Sequence, residues 1–244
     1  MRAKAVIQYD GSRFYGFQVQ KEGEKHVLET VVSRIEALFK VLGIESKIEG
    51  SGRTDRGVHA TGQVIAFDLP EHWKDLERLR WIANQKLEGV VFRSISKAPE
   101  GFDPRRQAKG RIYRYLLTTE PKNPFWADYV HFVPNIDPET IRKGMKLFEG
   151  EHDFVFFRKS GSDEPTTVRH ILNTRFYKHD KFWVLHFEGT AFLRSQIRLM
   201  VAALLELSNG TISASQLQEQ IDARKRYVSK PAPASGLYLA KIKY

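Results

Sequence analysis

Apolar and polar residues alternate along several short segments, a pattern that predicts β-strands. The predicted strands are residues 2–9, 44–49, 64–69, 90–97, 111–118, 168–177, 182–188 and 237–242. The turn residues 178–181 join the sixth and seventh of these as a hairpin.

Apolar residues recur at helical spacing in other segments. The predicted helices are residues 27–42, 73–87, 139–148, 192–207 and 214–223. Their ends carry the expected signals, with Gly43 after the first helix, Pro138 before the third and Ser213 before the last. Because helices and strands are mixed and several connections are short, we predict an α+β fold with mainly antiparallel sheet.

The chain of 244 residues is long enough for one large domain or two of ordinary size. Residues 99–110 have the composition of a linker or crossing loop. We therefore predict an N-terminal α+β domain over residues 1–106 and a C-terminal α+β domain over residues 107–244.

The formal net charge is +10, which favours a polyanionic partner, nucleic acid being the commonest. A solvated surface on a basic protein is the alternative. The absence of cysteine excludes disulfides, cysteine-ligated zinc, iron–sulfur clusters and thiol catalysis. We find neither an apolar signal core at the N-terminus nor an 18-residue apolar run, so we expect a soluble, cytoplasmic protein without a membrane segment.

Several catalytic signatures are missing from the sequence. There is no HExxH pair for zinc, no Walker A loop and no GxGxxG. The loop at residues 50–57 has close glycines, but Asp55 stands where a third glycine would be needed, and a carboxylate is a poor neighbour for phosphate. We therefore expect no metal and no cofactor.

Asp55 is the first candidate for chemistry. It lies between Arg53 and Arg56 in a glycine-rich loop, with His59 four residues further on. A turn-forming aspartate that binds nearby amides is one interpretation. In the other, the glycines allow close approach of a ligand, and the guanidinium groups keep the carboxylate ionised and bind phosphate. Such a carboxylate suits nucleophilic or base catalysis on RNA.

The predicted strand at residues 111–118 is the second candidate. Alternation places Arg111, Tyr113 and Tyr115 on one face, with Arg114 on the other. Tyrosine beside arginine on a strand can stack bases and hold phosphates. A half-buried strand with exposed arginines gives the same pattern.

The apolar helix at residues 192–207 is the third candidate. Arg194 and Arg198 are four residues apart and would share a helical face. Each is either a surface residue with a buried stem or a cation that points into a cleft toward a carboxylate. Periodicity does not distinguish the two.

The loop sequence GRTDRGVHA (52–60) resembles the signature of the tRNA pseudouridine synthase A family. Five further segments resemble elements of that family in the same order and span nearly the whole chain. They are YDGSRFYGFQ (9–18), RIYRYL (111–116), FEGEHDF (148–154), FLRSQIR (192–198) and APASGLYL (232–239).

The resemblance implies two α+β domains that flank a basic RNA-binding cleft, and a homodimer. It implies isomerisation of uridine to pseudouridine at positions 38, 39 and 40 of the tRNA anticodon arm, without cofactor or metal. Asp55 falls on the family's catalytic aspartate, Tyr113 on its active-site tyrosine and Arg198 on the basic partner of the aspartate. The expected RNA contacts are made by Tyr113 together with Arg53, Arg56, His59, Arg111 and Arg114.

Two positions depart from the family pattern. Phe17 replaces the usual tryptophan, and Asp103 replaces the usual histidine of FHAR, which puts in doubt an RNA contact at that position. Whether Asp55 would attack C1′, attack C6 or remove a proton is left open by the sequence.

Two other classes of protein compete with this interpretation. An RNA-binding protein without catalysis, such as a tRNA folding chaperone, would not need Asp55, Tyr113 and Arg198 together. A nuclease would need a metal-binding cluster, and a methyltransferase would need a glycine-rich cofactor loop. We find neither in the sequence.

Overall fold

The structure is a computed structural model that describes residues 1–18, 28–159, 161 and 165–244. Within these residues the strands are β1 (Arg2–Tyr9), β2 (Glu49–Gly50), β3 (His59–Asp68), β4 (Val90–Lys97), β5 (Gly110–Thr118), β6 (His131–Phe132), β7 (Gly150–Asp153), β8 (Val168–His179), β9 (Phe182–Gly189) and β10 (Leu237–Lys243). The α-helices are α1 (Val31–Val41), α2 (Leu76–Lys86), α3 (Pro138–Lys146), α4 (Gln196–Ser208) and α5 (Ala214–Ile221).

The chain divides into two compact units. The N-terminal unit comprises Met1–Lys109 together with Tyr238–Tyr244, and the C-terminal unit comprises Gly110–Leu237. The predicted boundary at residues 106 and 107 places the last strand in the second domain, whereas β10 pairs in parallel with β3 through Tyr238 and His59. Hydrophobic alternation identifies a strand but does not identify its partner, which explains this difference.

In the N-terminal unit, the sheet has the order β4-β1-β3-β10, and β2 also pairs with β3. The β1 pairings with β3 and β4 are antiparallel. Every second residue of β1 is buried, as the alternation requires. Helix α1 packs its Phe39 ring against Phe67 of β3 and Phe92 of β4, with ring centroids 4.9 and 6.3 Å apart.

In the C-terminal unit, the sheet has the order β5-β9-β8-β7, and all three of these pairings are antiparallel. Helices α3 and α4 pack closely at Gly144, where an added Cβ would lie 2.8 Å from side-chain carbons of both Leu204 and Leu207. The predicted α+β class with mainly antiparallel sheet is thus confirmed.

Several predicted boundaries need correction. Only Glu49–Gly50 of the strand predicted at 44–49 is in a ladder, and β3 begins at His59 rather than at residue 64. Helix α4 begins at Gln196, after Ser195 with a left-handed φ of 60°. The prediction that Arg194 and Arg198 share a helical face is therefore wrong, because Arg194 precedes the helix. In the first predicted helix, Val27 lies outside the described residues, and α1 begins at Val31.

Candidate active site

The glycine-rich segment at residues 51–58, here called the aspartate loop, is fastened to β3 by one buried amide. Gln63 has no exposed surface. Its Oε1 accepts a hydrogen bond from the Ser51 hydroxyl at 2.6 Å, and its Nε2 donates to the carbonyl of Gly52 at 2.7 Å. The Val64 amide also donates to the Gln63 Oε1 at 3.1 Å. Since all these groups are buried or half-buried, the entry of the loop has one well-defined position.

The middle of the loop is held at Thr54. The Thr54 side chain is buried, and its hydroxyl is 2.8 Å from the hydroxyl of Tyr9 at the end of β1. The Thr54 carbonyl accepts a hydrogen bond from the Phe17 amide at 3.1 Å. Gly16 has a φ of 93°, and an added Cβ there would lie 3.0 Å from the Thr54 carbonyl oxygen. A residue with a side chain at position 16 would be strained and crowded against the loop.

The charged residues of the loop remain accessible between these anchors. Asp55 is half-buried, whereas Arg53 and Arg56 are exposed. The Val58 amide donates to the Asp55 carbonyl at 3.1 Å, so the backbone turns directly after the aspartate. The Arg56 guanidinium lies over the Tyr15 ring at 4.1 Å from its centroid, a cation–π contact that orients the side chain. The loop thus presents one carboxylate between two cations on a firmly anchored backbone.

His59 is placed as a support of this loop. Its side chain is 2% exposed, its ring stacks on Tyr238 at 4.7 Å, and its Nδ1 accepts a hydrogen bond from the Gly11 amide at 3.0 Å. That bond requires the tautomer with its proton on Nε2. An added Cβ at Gly11 would lie 2.1 Å from the Val58 carbonyl oxygen, so only glycine fits there. A direct contact between His59 and RNA stays a prediction.

The strand candidates lie on β5 in the C-terminal unit. Tyr113 is 8% exposed and meets Phe192 edge to face at 5.2 Å. Arg111 is also largely buried and donates from Nη1 to the Thr190 carbonyl at 2.8 Å, whereas Arg114 is exposed. Of the two candidate arginines on this strand, Arg114 is the one with an open route to a phosphate.

Arg198 lies in the first turn of α4 and is half-buried. Its Nε donates to the carbonyl of Ala232 at 2.7 Å, and the Ala232 amide donates to the Arg198 carbonyl at 3.0 Å. The side chain is therefore neither a surface residue with a buried stem nor an unrestrained cation. It has one defined orientation set by the backbone of a separate segment.

Asp103, one of the two positions that depart from the family pattern, stabilises a turn through its side chain. One carboxylate oxygen accepts hydrogen bonds from the amides of Arg105 and Arg106 at 2.8 and 2.9 Å. The pKa of Asp103 is lowered, chiefly by the bond from the Arg106 amide. The residue fixes a turn that begins two positions before a pair of exposed arginines.

Two residues that support the aspartate loop, Gln63 and Tyr9, are not marked as supports by the sequence pattern. No local pattern distinguishes a buried glutamine that bridges a loop from one that faces solvent. For Tyr9 the signal is its place at the start of the segment YDGSRFYGFQ.

Across the described part of the chain, no group of three or more His, Cys, Asp and Glu residues is arranged to hold a metal ion. No helix in the same residues is both long and apolar enough to span a membrane.

A family model described as tRNA pseudouridine synthase matches residues 5–105 and 145–244. The chain belongs to the tRNA pseudouridine synthase family. Three similar proteins, each named tRNA pseudouridine synthase A, come from Wolinella succinogenes, Helicobacter hepaticus and Campylobacter jejuni. They are 42%, 39% and 38% identical to this chain, over 98%, 99% and 100% of its length and 93%, 98% and 100% of their own.

Membership of this family confirms the prediction that the protein is an isomerase of the pseudouridine synthase class. The two matched stretches include the aspartate loop and the start of α4, with Asp55 and Arg198. Tyr113 lies between the two stretches, outside the match. The roles of these three residues stay predictions.

Proposed function

We propose that this synthase isomerises uridine to pseudouridine at positions 38, 39 and 40 of the anticodon arm of tRNA, with Asp55 as the catalytic carboxylate. The observation that carries the proposal is the aspartate loop itself. Its backbone is anchored by Gln63 and Thr54, while Asp55 stays accessible between the exposed Arg53 and Arg56. Preorganised charge of this kind is the main means of catalysis available without a cofactor.

The reaction rearranges the atoms of one nucleotide. The bond between ribose C1′ and N1 of uracil breaks, the base turns, and C1′ bonds to C5. The proton on C5 leaves, and N1 gains a proton, so the product is an isomer and no oxidant or reductant is consumed. An ionised Asp55 serves in each of the three routes open to it, namely attack on C1′, attack on C6 or removal of the proton that starts glycal formation.

The remaining residues have separate roles in this proposal. Unstacking the target base costs about a few kcal/mol. Stacking on Tyr113 returns about 1–3 kcal/mol of that, and the same phenol is the proposed base for the C5 proton. Arg198 acts as the basic partner that the family resemblance assigns to the aspartate. The exposed Arg53, Arg56 and Arg114 form the proposed RNA contact set. Arg111 and His59 are buried, and RNA contacts by these two stay predictions from the sequence. The reaction is proposed to need no metal and to be carried out by a homodimer.

The test uses tRNA transcripts that carry uridine at position 38, 39 or 40 singly, and a transcript with none of the three. Carbodiimide mapping should show pseudouridine at each of the three positions and nowhere else. Tritium placed at C5 of uridine should be released in equal amount. Release without a mapped product, or product outside the anticodon arm, contradicts the proposal.

The charge of +10 favours tRNA binding that is separable from catalysis. The variant Asp55→Asn tests this separation, since it should bind tRNA and form no pseudouridine. Sedimentation of the wild-type protein at micromolar concentration tests the proposed homodimer, and a monomer would contradict it.

A further inference from the structure

The side chain of Arg198 is oriented by a segment that is distant in sequence. The reciprocal hydrogen bonds between Arg198 and Ala232 join the first turn of α4 to residues 232–236, here called the C-terminal segment. The Nε bond of 2.7 Å fixes the plane of the guanidinium group. The direction of its two terminal nitrogens then depends on where the Ala232 carbonyl lies.

The C-terminal segment is itself held by Tyr115 of β5. This side chain has no exposed surface, and its hydroxyl donates to the carbonyl of Pro233 at 2.8 Å. Pro233 follows Ala232 directly, so one bond fixes the peptide next to the one that holds Arg198. An added Cβ at Gly236 would lie 2.7 Å from the Tyr115 ring and 2.8 Å from the Leu116 carbonyl, so the segment lies directly on the tyrosine.

The hydroxyl of Tyr115 also has a partner that fixes its direction. His131 Nδ1 lies 3.1 Å from the hydroxyl oxygen. A phenol has one proton, and since that proton is directed to Pro233, the imidazole must donate from Nδ1. Burial raises the pKa of Tyr115, against the opposing charge of Arg198, and lowers the pKa of His131. At neutral pH the phenol is therefore protonated and the imidazole is uncharged.

We infer that Tyr115 is a positioning residue for catalysis, which acts through Pro233 and Ala232 to hold the guanidinium of Arg198 in its working direction. The inference rests on the proposed function only for the role of Arg198. The path itself consists of contacts within the C-terminal unit. Tyr113, two residues earlier on the same strand, is in the proposed catalytic machinery, whereas the Tyr115 side chain has no exposed surface with which to contact a substrate.

The first test is Tyr115→Phe, which removes only the hydroxyl. Loss of alignment by a fraction of an ångström up to about 1 Å should lower the single-turnover rate constant by about 10- to 100-fold. The dissociation constant for tRNA should stay within about twofold, because no RNA contact is removed. The matched control is Tyr244→Phe, which also removes a tyrosine hydroxyl that donates to a proline carbonyl, that of Pro104 at 2.9 Å, but in the N-terminal unit. A rate constant for Tyr115→Phe equal to that of this control overturns the inference.

The second test combines Tyr115→Phe with Arg198→Lys. Lysine lacks the Nε–H that donates to the Ala232 carbonyl. In an Arg198→Lys protein, Tyr115 therefore has no guanidinium to position. The double variant should be no slower than Arg198→Lys alone within about twofold. If the two effects multiply instead, Tyr115 acts independently of Arg198 and the inference fails. A third variant, His131→Phe, removes the donor to the Tyr115 hydroxyl. It should also lower the single-turnover rate constant, by a smaller factor than Tyr115→Phe, and it gives a second measurement if Tyr115→Phe does not fold.

A readout without tRNA separates this inference from the proposed function. Hydrogen exchange at the Ala232 amide should be faster in Tyr115→Phe than in the wild-type protein, and unchanged in Tyr244→Phe. Faster exchange together with a wild-type rate in Arg198→Met refutes the catalytic role of Arg198 and leaves the positioning path standing. Unchanged exchange together with an inactive Arg198→Met leaves the proposed function standing and refutes the path.

Discussion

Asp55 in the N-terminal unit is positioned through its backbone, whereas Arg198 in the C-terminal unit is positioned through its side chain. The backbone on either side of Asp55 is anchored by Gln63 and Thr54. Arg198 lies on a regular helix, and its own side chain is bonded to the Ala232 carbonyl. A loop gains precision from bonds to its backbone, whereas a long flexible side chain needs a bond close to its charged end. Changes at Asp55 should therefore remove chemistry alone, and changes at its supports should remove stability as well.

The largest effect is expected for Asp55→Asn, which keeps the size of the side chain and removes its charge. The single-turnover rate should fall by at least about 10³-fold, near the upper range for a single proton-transfer or nucleophilic group. The affinity for tRNA should persist. Asp68→Asn, which removes an exposed carboxylate paired with Arg2 in the same unit, is the control and should keep its activity. More than a trace of activity in Asp55→Asn would remove this residue from the mechanism.

The next effect is expected for Arg198→Met, with a fall in rate of about 100-fold and little change in fold or affinity. Arg198→Lys should recover part of the rate, because a point charge does not reproduce a planar, forked donor. If the pairing with a carboxylate that the resemblance implies holds, the acid limb of the rate profile moves to higher pH in Arg198→Met. Single-turnover rates between pH 5 and 8 measure both effects, and a wild-type rate with an unmoved profile would contradict them.

Gln63→Leu should destabilise the N-terminal unit and the aspartate loop together. The change leaves the Ser51 hydroxyl and the Gly52 carbonyl without the amide that now satisfies them, at a cost of about 1–3 kcal/mol. Chemical denaturation measures the loss in the free energy of unfolding. Gln85→Leu on the exposed side of α2 is the control and should stay within about 0.5 kcal/mol. Equal stability of the two variants would show that the loop does not depend on this amide.

Arg53→Gln and Arg56→Gln should each weaken tRNA binding moderately without changing the chemistry. Each neutralised phosphate contributes about 1 to the slope of log affinity against log salt, so each variant should lower that slope by about 1. Lys143→Gln, which removes a cation already paired with Glu139 on α3, is the control. A slope equal to that of the wild-type protein would place these two arginines outside the RNA contact.

The smallest effect concerns His131, whose pKa burial lowers from 6.5. Below pH 6.5 the unfolded chain takes up a proton more readily than the folded one, so the free energy of unfolding should fall as the pH drops toward the lowered value. His131→Asn should flatten the profile in this range, whereas His72→Asn at an exposed position should not. Identical profiles for wild type and His131→Asn would contradict the half-buried, neutral imidazole.

The local pattern of apolar and polar residues determined most of the secondary structure of this protein. Alternation and helical spacing identified most of the strands and helices, because burial of one face leaves a period in the sequence. The segment GRTDRGVHA and five further segments in the same order indicated the family, because a motif and its spacing can be read directly from the sequence. The start of α4 was misplaced because residues 192–195 are apolar enough to continue the helical pattern, whereas Ser195 turns left-handed.

Only the tertiary structure decided which side chains support the site. Gln63 binds a loop that begins twelve residues earlier, Tyr115 binds a proline 118 residues later, and β10 returns to β3 in parallel. None of these pairings has a period or a fixed spacing, because each depends on where two separate elements come to lie. The sequence by itself thus determined the elements, the family and the candidate residues. The packing of distant segments decided that Arg198 is held by Ala232 and that His59 supports the loop.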